Sequence, residues 1–135
     1  MRYEQSSFNQ WWVLKLNGRL DSFVQDQVTR LVDHGISMGK SQIVLDLKEV
    51  VFVGLPLIKW FANKNQELRN SGGELVILNA NALVSRHLVT YNAHNTLKLC
   101  RNFDELRAFA TQVQISRSFQ FQELVTDLHE PLQAS

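Results

Sequence analysis

The residues able to carry chemistry are few and scattered. The 135-residue chain has one cysteine, Cys100, and four histidines, His34, His87, His94 and His129. A zinc site needs three or four ligands at short spacing, and a nucleophile needs an adjacent base held by a third group. Cys100 has neither a histidine nor a second cysteine close to it in sequence, so it reads as an inert buried thiol. His87 falls among Leu83, Val84, Leu88 and Tyr91, an apolar stripe at helical spacing, with no carboxylate and nucleophile beside it. It reads as a half-buried structural histidine, and the other three as solvated loop or surface residues. Asp46 stands alone inside Ile43-Val44-Leu45-Asp46-Leu47. A single carboxylate there is better placed to accept a bond from a neighbouring backbone N–H near a strand end than to hold a metal or a phosphoryl group. No P-loop, GxGxxG, GxSxG or HExxH pattern occurs. The expectation is a protein that is not an enzyme and uses no metal and no cofactor.

The surrounding elements alternate. Ser7 to Leu20 reads as strands, with Trp11-Trp12-Val13-Leu14-Lys15-Leu16 ending in an Asn17-Gly18 turn. Asp21 or Ser22 then offers an N-cap oxygen to a first helix. Val24, Val28, Leu31 and Val32 form the stripe of that helix, and Gly35 and Gly39 end it or lie just beyond. The apolar run Ile43–Leu47 predicts a buried strand, which Val50-Val51-Phe52-Val53 continues toward Gly54. Pro56 opens a second helix at the position where its missing N–H costs least. Leu57, Ile58, Phe61, Ala62 and Leu68 make its inner face, and Gly72-Gly73 closes it. Leu75-Val76-Ile77-Leu78 is the next strand. Asn79 or Asn81 caps a third helix whose inner face is Leu83, Val84, Leu88 and Tyr91, and Asn92 can end it in the left-handed conformation. Thr96–Leu99 is a short last strand. Asn102 with Glu105 three residues on starts a fourth helix, with Phe103, Leu106, Ala110 and Val113 as its stripe. The order β-β-α-β-α-β-α-β-α predicts an α/β fold with a mixed, largely parallel sheet of four to five strands.

Composition narrows the partners. Fourteen Lys and Arg against thirteen Asp and Glu give a net charge of +1, which argues against nucleic acid or another polyanion. The start MRYEQSSFNQWW lacks the apolar run of a signal peptide, and no stretch of about 18 apolar residues occurs. The expectation is a cytoplasmic protein with no direct membrane insertion. The segment from Ser118 to Ser135 contains Glu123, Asp127 and Glu130 but no Lys or Arg, so the body before it is +4 and this tail is −3. Phe121, Leu124, Val125, Leu128 and Leu132 share one helical stripe, with Pro131 just before its last member. We therefore expect a domain over 1–115 and a C-terminal extension over 116–135 that adds one amphipathic helix.

Four stretches, in this order and spacing, carry a resemblance. They are Leu16-Asn17-Gly18-Arg19-Leu20-Asp21, Ile43–Leu47, Phe52-Val53-Gly54-Leu55-Pro56-Leu57, and Gly72-Gly73-Glu74-Leu75-Val76-Ile77. Together they resemble a STAS domain, the fold of bacterial anti-sigma factor antagonists, over roughly Phe8 to Val113. The resemblance implies partner switching in transcription regulation. A serine or threonine in an Asp-Ser-Ser-Gly-like loop at the start of the second helix is phosphorylated by an anti-sigma factor kinase, and the phosphate breaks the complex. A helix N-terminus, with free N–H groups and positive potential, suits that phosphate.

Here the chain departs from the family. Counted back from Gly72-Gly73 without a gap, the family's aspartate falls on Gly54, its first serine on Leu55, the phosphoacceptor on Pro56 and the following glycine on Leu57. From Gln42 to Asn70 there is no Ser, Thr or Tyr. The helix start is kept while the switch hydroxyl is absent. The implied partner is still a protein, an anti-sigma factor or related kinase-like regulator. Its expected docking residues are Asp21, Ser22, Gly54, Leu55, Pro56, Leu57, Lys59, Trp60 and Asn63. Asp21 matches the acid of the family's G-x-L-D motif. Trp60 lies about 120° round the helix from the Ile58/Phe61 stripe, so it is either an exposed anchor or a rim residue lying against the next helix. Two other uses of the fold also tolerate a missing serine: an accessory subunit on an ABC transporter of lipids, and a self-associating scaffold or homodimer.

Overall fold

A computed structural model describes residues 1–91 and 96–116. The chain divides into two compact units, Met1–Arg101 and Asn102–Ser135. In the first, the order is β1 (Arg2–Phe8), β2 (Trp11–Leu20), α1 (Gln25–Ser37), β3 (Gln42–Val53), α2 (Leu55–Asn70), β4 (Glu74–Leu78), α3 (Ala82–Tyr91) and β5 (Lys98–Cys100). The five strands form one sheet in the order β1-β2-β3-β4-β5. β1 is antiparallel to β2, and every other pair is parallel. This is the expected α/β architecture. The described part of the second unit is a helix over 103–116, here α4, started as expected by Asn102, whose Oδ1 accepts the Glu105 N–H at 2.9 Å. The expected helix end at Asn92 and the tail stripe from Phe121 to Leu132 lie outside the described residues.

The readings of Asn17-Gly18 and Gly35 need correction. Asn17-Gly18 is not a chain reversal. β2 runs through it to Leu20, with Gly18 at φ +95°, and the pairing with β3 shifts register between Lys15 and Asn17 and again between Gly18 and Arg19. The positive φ that Asn-Gly permits is spent on an irregularity within a parallel pair instead of on a hairpin. The real hairpin turn is Asn9-Gln10, with Asn9 at φ +54°. Gly35 does not end α1 but sits inside it, where a Cβ would meet the Trp12 ring at 2.3 and 2.4 Å. Glycine there lets α1 lie against the indole.

The core follows the apolar pattern. Leu14, Leu16 and Leu20 from β2, Ile43, Leu45 and Leu47 from β3 and Leu75 and Ile77 from β4 are fully buried. Against them pack Val28 and Val32 of α1, Leu57, Ile58, Phe61 and Leu68 of α2, and Val84 and Leu88 of α3. Leu83 and Tyr91, expected inside, are 69% and 43% exposed. The ten-residue α3 buries a narrower stripe, which the i, i+4 pair Val84/Leu88 already fills. Its N-terminus is capped by Asn81, whose Oδ1 accepts the Val84 N–H at 2.9 Å.

One buried polar residue stands out in α2. Asn65 is fully buried, its Oδ1 accepts the Leu75 N–H at 2.8 Å and its Nδ2 donates to the Thr96 carbonyl. It ties α2 to the start of β4 and to the segment before β5. Buried amides of this kind are kept because an unpaired N–H left behind costs about 1–3 kcal/mol. Arg69 and the buried Glu74 close the same end through two-pronged bonds of 2.8–3.1 Å, and that hydrogen bonding holds the guanidinium pKa above its usual value.

Candidate partner-binding surface

The β2 end and the α2 start are joined directly. Leu20 pairs with Val53, and the Gly54 N–H donates to the Leu20 carbonyl at 2.9 Å. That bond brings Asp21 and Ser22 beside the Gly54 turn, although more than thirty residues separate them in sequence. Gly54 is the N-cap of α2, at φ −70° and ψ 149°, and makes no side-chain cap bond. Its carbonyl accepts both the Leu57 and Ile58 N–H groups at 3.1 Å. Proline lies in the first turn and no acidic residue does. The helix start is therefore set by proline's fixed φ and by the glycine carbonyl, without a side-chain oxygen.

Asp21 does not cap α1. Its Oδ1 accepts the Phe23 N–H at 3.0 Å and its carbonyl accepts the Val24 N–H at 3.2 Å, so it closes an Asx turn ahead of the helix. The N-cap position falls on Val24, which has no side-chain oxygen to offer, and neither Asp21 nor Ser22 fills it. The turn has a consequence that the sequence pattern hid. Phe23 is held outward and is 91% exposed, the most exposed of the large apolar side chains in the described residues. Its only signal in the sequence is negative: a large aromatic just outside the Val24/Val28/Val32 stripe.

The expected docking residues separate on inspection. Ser22, Pro56, Lys59 and Asn63 are exposed, and Asp21, Gly54 and Leu55 are partly so. Leu57 is 1% exposed and belongs to the core, so it cannot present itself to a partner. It lies on the inward side of the first helical turn, in register with Phe61. Trp60 is half-buried and packs on the core, edge-on to Phe61 at 5.9 Å, with Lys64 Nζ 5.1 Å from its ring centre. It is held partly against the core, and its ring contacts with Phe61 and Lys64 lie within its own helix.

Electrostatics around the surface is local. Arg19 reaches Asp21 at 4.0 Å and lies over the Phe52 ring at 4.6 Å. Phe52 faces His87, which meets Tyr91 edge-on at 4.8 Å, so His87 is half-buried between two rings, as its place in the stripe predicts. Lys64 bonds Asp33 of α1 at 2.9 Å and Glu67 at 3.0 Å. Burial opposes the charge on Lys64, but these hydrogen bonds outweigh it and raise the pKa. Asp46 is buried, and its Oδ1 accepts the Lys48 N–H at 3.0 Å and the Asn79 amide at 3.5 Å, in the middle of β3 and not at its end. Cys100 is buried. Among the described residues no group of three or more His, Cys, Asp or Glu could hold a metal, and no helix is long and apolar enough to cross a membrane.

Comparison with known proteins agrees with the fold. The family pattern described as the STAS domain matches residues 4–106. Three solved structures illustrate the fold. A putative anti-sigma factor antagonist from Thermotoga maritima is 19% identical, with a TM-score of 0.71 over 78% of this chain and 92% of that one. An anti-sigma factor antagonist from Mycobacterium paratuberculosis is 17% identical, with a TM-score of 0.69 over 79% and 92%. The anti-sigma factor antagonist SpoIIAA in its unphosphorylated form is 13% identical, with a TM-score of 0.65 over 82% and 97%. At these identities the likeness is one of fold. No curated protein sequence is significantly similar to this chain.

Proposed function

The chain belongs to the STAS domain family, and from that premise we propose that it is a non-catalytic, cytoplasmic regulatory module that binds an anti-sigma factor or related kinase-like regulator. Docking uses the joined β2 end and α2 start, and phosphorylation at the helix start does not control it. The observation that carries this reading is the Gly54–Leu20 bond. It gathers Asp21, Ser22 and the outward Phe23 beside a helix start that keeps its turn but offers Pro56 and no hydroxyl. Phenylalanine, like the other aromatics, is enriched at the cores of protein interfaces relative to the rest of the surface.

The test uses the full chain and an anti-sigma-type ATPase from the same cell. Titration calorimetry should detect binding, and Phe23→Ala should weaken it by about 2 kcal/mol, the hot-spot scale, with circular dichroism unchanged. After incubation with the ATPase and ATP, peptide mapping should find no phosphate between Gln42 and Asn70. Wild-type affinity in Phe23→Ala would move the interface elsewhere, and label inside that segment would overturn the unswitched reading.

A further inference from the structure

The sheet has two edges, and they differ. β5 is three residues long and offers the shorter rim. β1 has seven residues, pairs with β2 in unbroken register from Arg2↔Asn17 to Phe8↔Trp11, and contains no proline, lysine or bulge. Proline, lysine and bulges are among the devices by which edge strands are blunted, and the charges that β1 does carry, Arg2 and Glu4, are of opposite sign. Arg2 to Ser7 are all exposed, Tyr3 47% so, and neither Arg2 nor Glu4 makes an ion pair among the described residues. The outer rim of β1 is thus a regular row of backbone groups with one base, one aromatic and one acid in sequence.

We propose that β1 pairs antiparallel with β1 of a second copy, about a two-fold axis through Tyr3, so that two five-stranded sheets join into one. Charge selects this register. Centred on Tyr3, Arg2 of each copy faces Glu4 of the other, Tyr3 faces Tyr3, and Met1 faces Gln5. The Arg–Glu pairs lie on one face of the sheet and the tyrosines on the other, because side chains alternate. Cross-strand pairs of opposite charge and of aromatics are both favourable. Centring on Glu4 sets acid against acid, and centring on Gln5 leaves Arg2 facing Phe8. A parallel, in-register pairing sets Arg2 on Arg2 and Glu4 on Glu4. The pairing leaves the β2/α2 surface free, so it stands apart from the partner reading above.

Sedimentation equilibrium of the full chain, from about 10 μM to about 1 mM, covers the range expected of a small interface. Wild type should show a monomer–dimer equilibrium that weakens with salt. Arg2→Glu leaves the strand with two acids, and Glu4→Arg leaves it with two bases. Each replaces two attractive pairs by two repulsive ones and should weaken self-association by about tenfold or more. Mixed together, these two variants should form a heterodimer, because each acid then faces a base again, and the double variant Arg2→Glu/Glu4→Arg should recover wild-type self-association. Both positions are exposed, so the fold should be unchanged by circular dichroism. A wild type that stays monomeric throughout the range overturns the proposal. So does a dimer that survives both single reversals, or single variants that fail to associate when mixed.

Discussion

Gly54 invites a stabilising change that also probes the α2 start. Its φ of −70° is open to any residue, and a Cβ would meet its nearest neighbours, the Leu20 carbonyl oxygen, Pro56 Cδ and Phe52 Cε1, at 3.5, 3.8 and 4.0 Å, all ordinary contacts. The 16-residue helix it precedes has no side-chain cap and no acid in its first turn. Gly54→Asp supplies both. Pro56 has no N–H, so the cap bond goes to the Leu57 N–H, which the residue 54 carbonyl already accepts at 3.1 Å, and in place of glycine it is worth at most a few tenths of a kcal/mol. A carboxylate at a helix N-terminus adds about 0.3–1 kcal/mol at low salt. Together they give about 1 kcal/mol, which for a chain of this length raises Tm by about 3–4 °C. Gly54→Asn keeps the cap without the charge and should give the smaller part. Gly54→Ala fills the space without an acceptor and should lose about 0.5–1 kcal/mol. Thermal melts at low and high salt separate the terms, because only the charge contribution is screened. If alanine stabilises as much as aspartate, a side-chain oxygen adds nothing to the bond that the Leu57 N–H already makes to the residue 54 carbonyl, and the reasoning about a missing side-chain cap fails.

Two further predictions rest on packing and on charge. Gly35→Ala should destabilise the protein by about 1–2 kcal/mol despite alanine's better helix propensity, because a Cβ 2.3 Å from the Trp12 ring forces out an indole that Gln5 holds by a 3.1 Å hydrogen bond; a higher Tm than wild type would refute this. The pKa of Lys64 is raised by Asp33 and Glu67, so the stability it contributes is complete below the unfolded lysine value and is lost as pH rises through the higher folded one. Asp33→Asn should therefore cost up to about 1 kcal/mol at neutral pH, and the gap from wild type should close in melts taken above about pH 10.5; a gap that stays constant to pH 11.5 would show that the pair contributes nothing through charge.

The element order was legible in the sequence because buried strands and helices carry strong periodic signals. Ile43–Leu47 is apolar because both its faces are covered, and Pro56 and Asn81 mark helix starts for reasons local to the backbone. What escaped was whatever local pattern does not determine. β1 begins at Arg2, five residues before the expected start, because RYEQSSF has both faces exposed and so shows no alternation. Asn17-Gly18 announces a positive φ but not whether the chain reverses there or bulges. Asp21 has the oxygen of an N-cap, and only the backbone reveals that it bonds Phe23 and leaves Val24 to begin the helix. At the candidate surface the sequence located the two segments, while the inward turn of Leu57, the half-burial of Trp60 and the exposure of Phe23 depend on how α1 and α2 rotate against the sheet.

The length of β3 has a bearing on how this molecule opens. Ile43 to Asp46 have strand partners on both sides, β2 and β4. From Leu47 to Val53 the strand keeps β2 on one side only, and on the other the Val50 carbonyl accepts a 3.0 Å bond from the Asn81 side chain at the head of α3. α3 is fastened to the core by little more than Val84 and Leu88. Deuterium should therefore enter the first half of β3 only when the whole domain unfolds, and the second half whenever α3 lifts away at lower free energy. The second half ends at Val53, one residue before Gly54. A protein that clamps the Gly54 turn would hold that strand end still, and uptake should slow along α3, a helix the clamp need not touch.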